Sequence, residues 1–169
     1  LVYNWIIENY ELIKKLLKEK GYVFHSDTDT EVLVNFIQFF QEEQNLNLTD
    51  AVRLALNEVI GAYAIAVLDK EEKDTIVVGR LGSPLAIGIG EDEFFVASDA
   101  SPFIEFTKDA IYLEDGDMAT ITLNNEVDIR TIKNNEPVSP DIQELQLNIE
   151  AIEKGGYEHF MLKEINEQP

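Results

Sequence analysis

The chain has 169 residues, enough for one domain with its own core, and its 45% hydrophobic and 27% charged residues make an ordinary globular balance. Its 33 acidic residues outnumber 13 basic ones, and the formal net charge of -20 argues against nucleic acid and anionic membrane as partners. Cysteine is absent, which excludes disulfides, thiolate metal sites and a cysteine nucleophile within these residues; no apolar run is long enough to span a bilayer, so a soluble cytoplasmic protein is the default.

Leu1 to Tyr3 read as apolar and extended, and Asn4-Trp5 breaks the run. So abrupt a beginning, with no methionine, suggests that something stood before Leu1. Asn9 is placed to cap a helix from about Tyr10 to Lys20. Leu12, Ile13, Leu16 and Leu17 share one face, Lys14, Lys15 and Lys18 the other, and Gly21 acts as the stop. Tyr22 to Phe24 is a short extended piece. Thr28 with Glu31 three residues later fits a capping box, opening a helix striped by Val32, Leu33, Phe36, Ile37 and Phe40. Thr49 opens a third helix with Val52, Ala55, Leu56 and Val59 on one face.

The period then changes. Residues 62–69, 74–80, 84–90 and 93–99 are β-branched or aromatic-rich runs separated by charged or glycine turns, and they predict strands. Pro102 to Phe106 predicts a short helix. Residues 110–123 predict two strands broken at Glu114-Asp115-Gly116, and Asn124-Asn125 a turn before a strand over Glu126 to Ile132. A polar connection follows over 134–141. From about Ile142 to Asn166 a helix is expected, broken at Gly155-Gly156. Helices, then antiparallel strands, then helix argue for an α+β domain.

The usual catalytic motifs are absent. His25 and His159 lie far apart, and no HExxH, GxxxxGK[ST] or GxSxG pattern occurs. GIGEDE at 88–93 falls between two strands and reads as a hairpin turn. The pairs Glu42-Glu43, Glu71-Glu72 and Glu114-Asp115 read as solvated surface. Two residues stand out. Asn4, at the end of an apolar strand, carries an amide suited to stabilising an oxyanion, although local sequence favours a turn bond with its own backbone. Asp29, in the first turn of a helix, could bind a substrate ammonium, or simply complement the helix dipole.

Several blocks together then resemble one family. YNWIIENYELIKKLLKEKGYVFHSDTDTEV (3–32) is similar to the segment from HNGIIEN to ETDTE in the glutaminase domain of glutamine–fructose-6-phosphate aminotransferases. GAYAIAVLD, RLGSPLAIGIG, FFVASDASP, YLEDGDMA and HFMLKEINEQP resemble later blocks in the same order. The resemblance covers essentially all of residues 1–169. KEINEQP resembles the segment that leads into sugar-phosphate isomerase domains, which are absent here.

The resemblance implies an N-terminal nucleophile hydrolase fold, a four-layer αββα sandwich of antiparallel sheets, here lacking its first segment. In that family a leading cysteine attacks glutamine with its own α-amino group as base, and ammonia passes to fructose 6-phosphate, giving glucosamine 6-phosphate. Asn4 then matches the oxyanion-hole asparagine, and Trp5 stands where the family has a glycine that offers its backbone N–H. Asp29 matches the ligand of the glutamine α-amino group. Tyr3 replaces a histidine, and Leu162 stands where a glutamine is expected. If the glycine position requires positive φ, Trp5 would be strained. The resemblance implies L-glutamine as ligand, no cofactor or metal, and homodimers in the full-length enzyme. Two alternatives stay open: a non-catalytic amino-acid-binding or interaction module, and an amidotransferase with another acceptor.

Overall fold

A computed structural model describes residues 1–123, 126–145 and 160–167. The first strand, β1 (Val2–Ile7), leads into three helices, α1 (Tyr10–Glu19), α2 (Asp29–Gln44) and α3 (Leu48–Glu58). Eight strands follow: β2 (Gly61–Leu68), β3 (Thr75–Leu81), β4 (Ala86–Ile89), β5 (Phe94–Ala97), β6 (Asp109–Tyr112), β7 (Asp117–Thr122), β8 (Glu126–Thr131) and β9 (Ile142–Glu144). A last helix, α4, spans Phe160–Glu167. The strands form a five-stranded sheet in the order β1-β2-β3-β7-β8 and a four-stranded sheet in the order β5-β4-β6-β9, with every strand pair antiparallel.

The central strands β2, β3 and β7 are buried on both faces, which explains why they read as apolar runs without clean alternation. Tyr63, Ile65, Val67, Val77 and Met118 face the helices, meeting Leu17 of α1, Leu33 and Ile37 of α2, and Val52 and Leu56 of α3. Ala64, Val78, Ala119 and Ile121 face the other way, against Leu85, Ile87, Ile111 and Leu113 of the second sheet. The outer face of that second sheet carries the small residues Ala86 and Ala110, covered by Phe103. A Cβ on Gly88 would lie 2.7 Å from the Phe103 ring, so this cover requires glycine beneath it. Helices on one sheet and a second sheet behind it make the expected α+β sandwich.

Local chemistry explains most boundaries. Gly21, at φ 93°, ends α1 in a paired-bond terminus: the Gly21 N–H donates to the Lys18 carbonyl at 3.1 Å and the Tyr22 N–H to the Leu17 carbonyl at 3.0 Å. Ile13 and Leu17 are buried in the core shared with α2 and the sheet, whereas Leu12 and Leu16 of the expected face are exposed. Helix α3 starts at Leu48, one residue earlier than expected, since the Asn47 side chain caps it by accepting the Asp50 N–H. The 88–93 stretch is a hairpin turn, closed by the Gly90 N–H donating to the Glu93 carbonyl.

Three expectations are corrected. β1 does not break at Asn4-Trp5 but runs through both to Ile7, because they pair in register with Ala64 and Tyr63 of β2. Pro102 to Phe106 forms successive turns about Phe103 rather than a helix, with the Ile104 and Thr107 amides donating to the Ala100 and Phe103 carbonyls. Ile142 to Glu144 is a strand, not a helix start: it pairs with β6 in the register Ile142↔Ile111, and the available sheet edge overrides a weak local helix preference. The Asn124-Asn125 turn, the Gly155-Gly156 break and His159 lie outside the described residues.

Candidate functional site

The geometry starts from β1. Among the described residues this strand lies at the edge of the five-stranded sheet and pairs with β2 alone, with Asn4 opposite Ala64 and Trp5 opposite Tyr63. In an antiparallel ladder, backbone amides alternate between pointing at the partner and pointing away. The Glu8 N–H donates to the Ile60 carbonyl at 2.8 Å, which sets the phase. Even-numbered amides of β1 therefore point at β2, and the amides of Tyr3, Trp5 and Ile7 point to the open edge. The Ile7 amide proves the phase, because its acceptor is Asp29 Oδ2 at 3.1 Å, outside the sheet.

Asp29 is the first residue of α2. Thr28 precedes it as the N-cap, its side chain accepting the Glu31 N–H at 3.3 Å, so the capping half of the expected box is present. The other half differs. The Glu31 carboxylate does not return to the Thr28 amide but accepts the His25 and Ser26 amides instead. The end of β1 is tied down by Asn9. Its side chain does not cap α1; Asn9 Nδ2 donates to the Glu58 carbonyl and its Oδ1 accepts the Ile60 N–H, each at 2.9 Å. Opposite Ile7 stands Gly61 at φ 139°, where a Cβ would lie 2.3 Å from the Ile6 carbonyl oxygen. Only glycine lets β1 and β2 approach here.

Asp29 and the Trp5 amide thus lie along one open edge. Two strand residues separate the Ile7 and Trp5 amides, roughly 7 Å. Such an edge offers a carboxylate for a cation at one end and an N–H for an oxyanion at the other, spaced for a short, flexible molecule. Trp5 occupies a regular extended position opposite Tyr63, a conformation open to any L-residue, so no glycine-only backbone is needed there. Behind the edge, a cleft of about 290 Å³ opens between the sheets, lined by Val2, Ala64, Ala66, Leu85, Val96 and Ser98. The larger groove, about 850 Å³ between α2 and the β2–β3 turn, does not include Asp29. Burial pushes the Tyr63 phenol up to about 12, so it stays neutral beneath the site.

Sequence reasoning singled out Asn4, Trp5 and Asp29 but missed the Ile7 amide and the role of Asn9. A backbone donor carries no side-chain signature. Asn9 has one, but its partners lie about 50 residues away.

A family model described as a glutamine amidotransferase domain matches residues 1–105, which include β1, α2 and the Asp29 loop. The chain belongs to the glutamine amidotransferase domain family. It is 53% identical over 169 residues to a glutamine–fructose-6-phosphate aminotransferase (isomerizing) of Bacteroides thetaiotaomicron, covering all of this chain and 27% of that protein. The same enzyme of Chlorobaculum tepidum is 52% identical over 170 residues, again with 27% of its length covered. That of Thermococcus kodakarensis is 44% identical over 169 residues. The chain therefore spans about a quarter of the length of the curated relatives it matches.

Among solved structures, a glutamine phosphoribosylpyrophosphate amidotransferase from B. subtilis, complexed with ADP and GMP, superposes with a TM-score of 0.68 at 25% identity. It covers 80% of this chain and 29% of that one. A structure described as the allosteric regulatory enzyme of purine biosynthesis superposes at 0.66, with 27% identity. The α+β sandwich is thus shared with this amidotransferase group. Among the described residues, no helix is long and apolar enough to cross a membrane.

Proposed function

We propose that these residues are part of the glutaminase domain of a glutamine–fructose-6-phosphate aminotransferase, and that they bind L-glutamine along the open edge of β1. The observation that carries the reading is the amide phase of that edge, with the Ile7 N–H taken by Asp29 and the Trp5 N–H presented on the same side. The acceptor reading is supported by the match over all of this chain, at 53% identity, to 27% of the sugar aminotransferase, against 25% identity over 80% of the chain for the phosphoribosylpyrophosphate enzyme.

In this reading Asp29 receives the α-ammonium of glutamine, and the side-chain carboxamide extends toward Asn4. A thiolate adds to the carboxamide carbon, and the negative charge that develops on its oxygen is met by the Asn4 amide and the Trp5 backbone N–H. Ammonia leaves, water hydrolyses the resulting thioester to glutamate, and in the full-length enzyme the ammonia is passed to fructose 6-phosphate. These 169 residues contain no cysteine. The thiolate is therefore supplied from outside them, and this chain alone is expected to release no ammonia from glutamine.

The experiment is a glutaminase assay of this chain and of the full-length protein carrying it. The chain is expected to be silent and the full-length protein active. Asn4→Ala should lower kcat by roughly 10²–10³-fold, the usual cost of one oxyanion donor. Ammonia release by the chain alone, lost on changing Asn4 or Asp29, would overturn the assignment of the nucleophile. An inactive full-length protein that still binds glutamine would favour the non-catalytic binding module, for which the Trp5 substitution is the relevant observation.

A further inference from the structure

The loop before α2 is held by a carboxylate that the reading above leaves unused. Glu31 Oε1 accepts the His25 backbone N–H at 2.7 Å, while Oε2 accepts both the Ser26 N–H and the Ser26 hydroxyl at 2.6 Å. Three short bonds to an ionised acceptor are the strong kind. Their effect is to hold the Glu31 carboxyl below the usual glutamate range, the Ser26 hydroxyl contributing most and the His25 amide next.

Ser26 passes the constraint on. Its hydroxyl proton is committed to Glu31, so in the 2.9 Å contact with Thr28 Oγ1 the threonine is the donor. The Thr28 N–H donates to Ser26 Oγ at 3.3 Å. From the opposite side, Lys14 of α1 donates to the Ser26 carbonyl at 3.1 Å, lies 3.5 Å from Asp27, and sits over the Phe24 ring. Residues 25–28 are thus suspended between two helices, and the next residue is Asp29.

In an ordinary capping box the glutamate would satisfy the N-cap amide and stabilise the helix start. Here Ser26 Oγ takes that amide, and the Glu31 carboxylate reaches past it to the loop. Its bonding is spent on loop conformation and not on helix termination. We propose that Glu31 is a positioning residue for Asp29: by clamping the 25–28 loop it fixes the carboxylate that receives the ammonium group of the ligand. The proposal rests on the glutamine-binding reading of Asp29.

The test uses the full-length protein and titrates L-glutamate by calorimetry, so that binding is read without chemistry. KM and kcat for glutamine accompany it where hydrolysis is measurable. Asp29→Asn should weaken binding by at least about tenfold. Glu31→Gln should weaken it by about three- to tenfold, raising KM while leaving kcat within about twofold. Asn47→Ala, which removes the cap of α3 away from the loop, controls for stability and should leave binding unchanged. If Glu31→Gln does not fold, Ser26→Ala decides, with a smaller loss in the same direction expected and unchanged binding overturning the proposal.

Unchanged binding in Glu31→Gln together with loss in Asp29→Asn overturns the Glu31 role and leaves the Asp29 reading standing. Equal losses in Glu31→Gln and Asn47→Ala overturn it too, since stability alone would then explain both. If wild-type protein binds no glutamate or glutamine, or Asp29→Asn binds as well as wild type, the underlying reading falls and this proposal with it.

Discussion

The two edges of the five-stranded sheet are finished in different ways. At β8 the chain turns back on itself: the Thr131 N–H donates to the Glu136 carbonyl, the Val138 N–H donates to the Ile129 carbonyl, and Arg130 bridges Pro137. One edge amide, of Thr131, and one edge carbonyl, of Ile129, are engaged locally, and a proline sits where a further strand would pair. At β1 the Ile7 amide goes to the Asp29 side chain, and Val2 and Ile6 remain 75% and 66% exposed. Within the described residues the β1 edge instead has the Asp29 carboxylate on the Ile7 amide, with the Trp5 amide facing the same way.

The contrast breaks most easily at Gly61. Gly61→Ala adds a Cβ 2.3 Å from the Ile6 carbonyl at a φ of 139°, so both strain and collision act on the β1–β2 pair. A loss of at least about 1–3 kcal/mol is expected in urea titrations, with β1 amides exchanging first in hydrogen-exchange measurements. Wild-type stability in this variant would mean that β1 is not held as described.

Asn9→Ala should come next. It removes both bonds joining the end of β1 to the α3–β2 connection, for roughly 1–2 kcal/mol. Asn9→Asp keeps the acceptor for the Ile60 amide but loses the donor to the Glu58 carbonyl, and should fall between. Loss of α1 helicity in Asn9→Ala, read by circular dichroism, would instead indicate a capping role.

The smallest effect is one of slope. Bonding holds the folded Glu31 carboxyl low, so its contribution is present above the ordinary glutamate value of roughly 4 and is lost as pH falls through the folded value. Burial raises the folded Asp117 carboxyl, so its contribution is greatest in acid and declines as pH rises from roughly 4 through the folded value. Glu31→Gln and Asp117→Asn should therefore change the pH dependence of the urea midpoint in opposite directions. Changes of the same sign would contradict one of the two environments.

Much of this molecule was legible in its residues. Period and turn chemistry placed three helices and most strands to within a residue or two, because apolar spacing, Gly21 and the Thr28 cap act over a few positions. Asn4 and Asp29 stood out by their local positions, while their proposed roles, and Trp5 altogether, came from the family resemblance. What local signals could not reach was decided by tertiary structure. Ile142 to Glu144 became a strand because β6 offered it an edge. Leu12 and Leu16 were left outside because the packing of α1 turns Ile13 and Leu17, not them, into the core. Asn9 turned from its own helix to Glu58 and Ile60, and Glu31 from its cap to the loop. The phase of the β1 amides, which puts Trp5 and Asp29 on one edge, depends on the register with β2. Register is a relation between segments about 60 residues apart, and no stretch of either strand contains it.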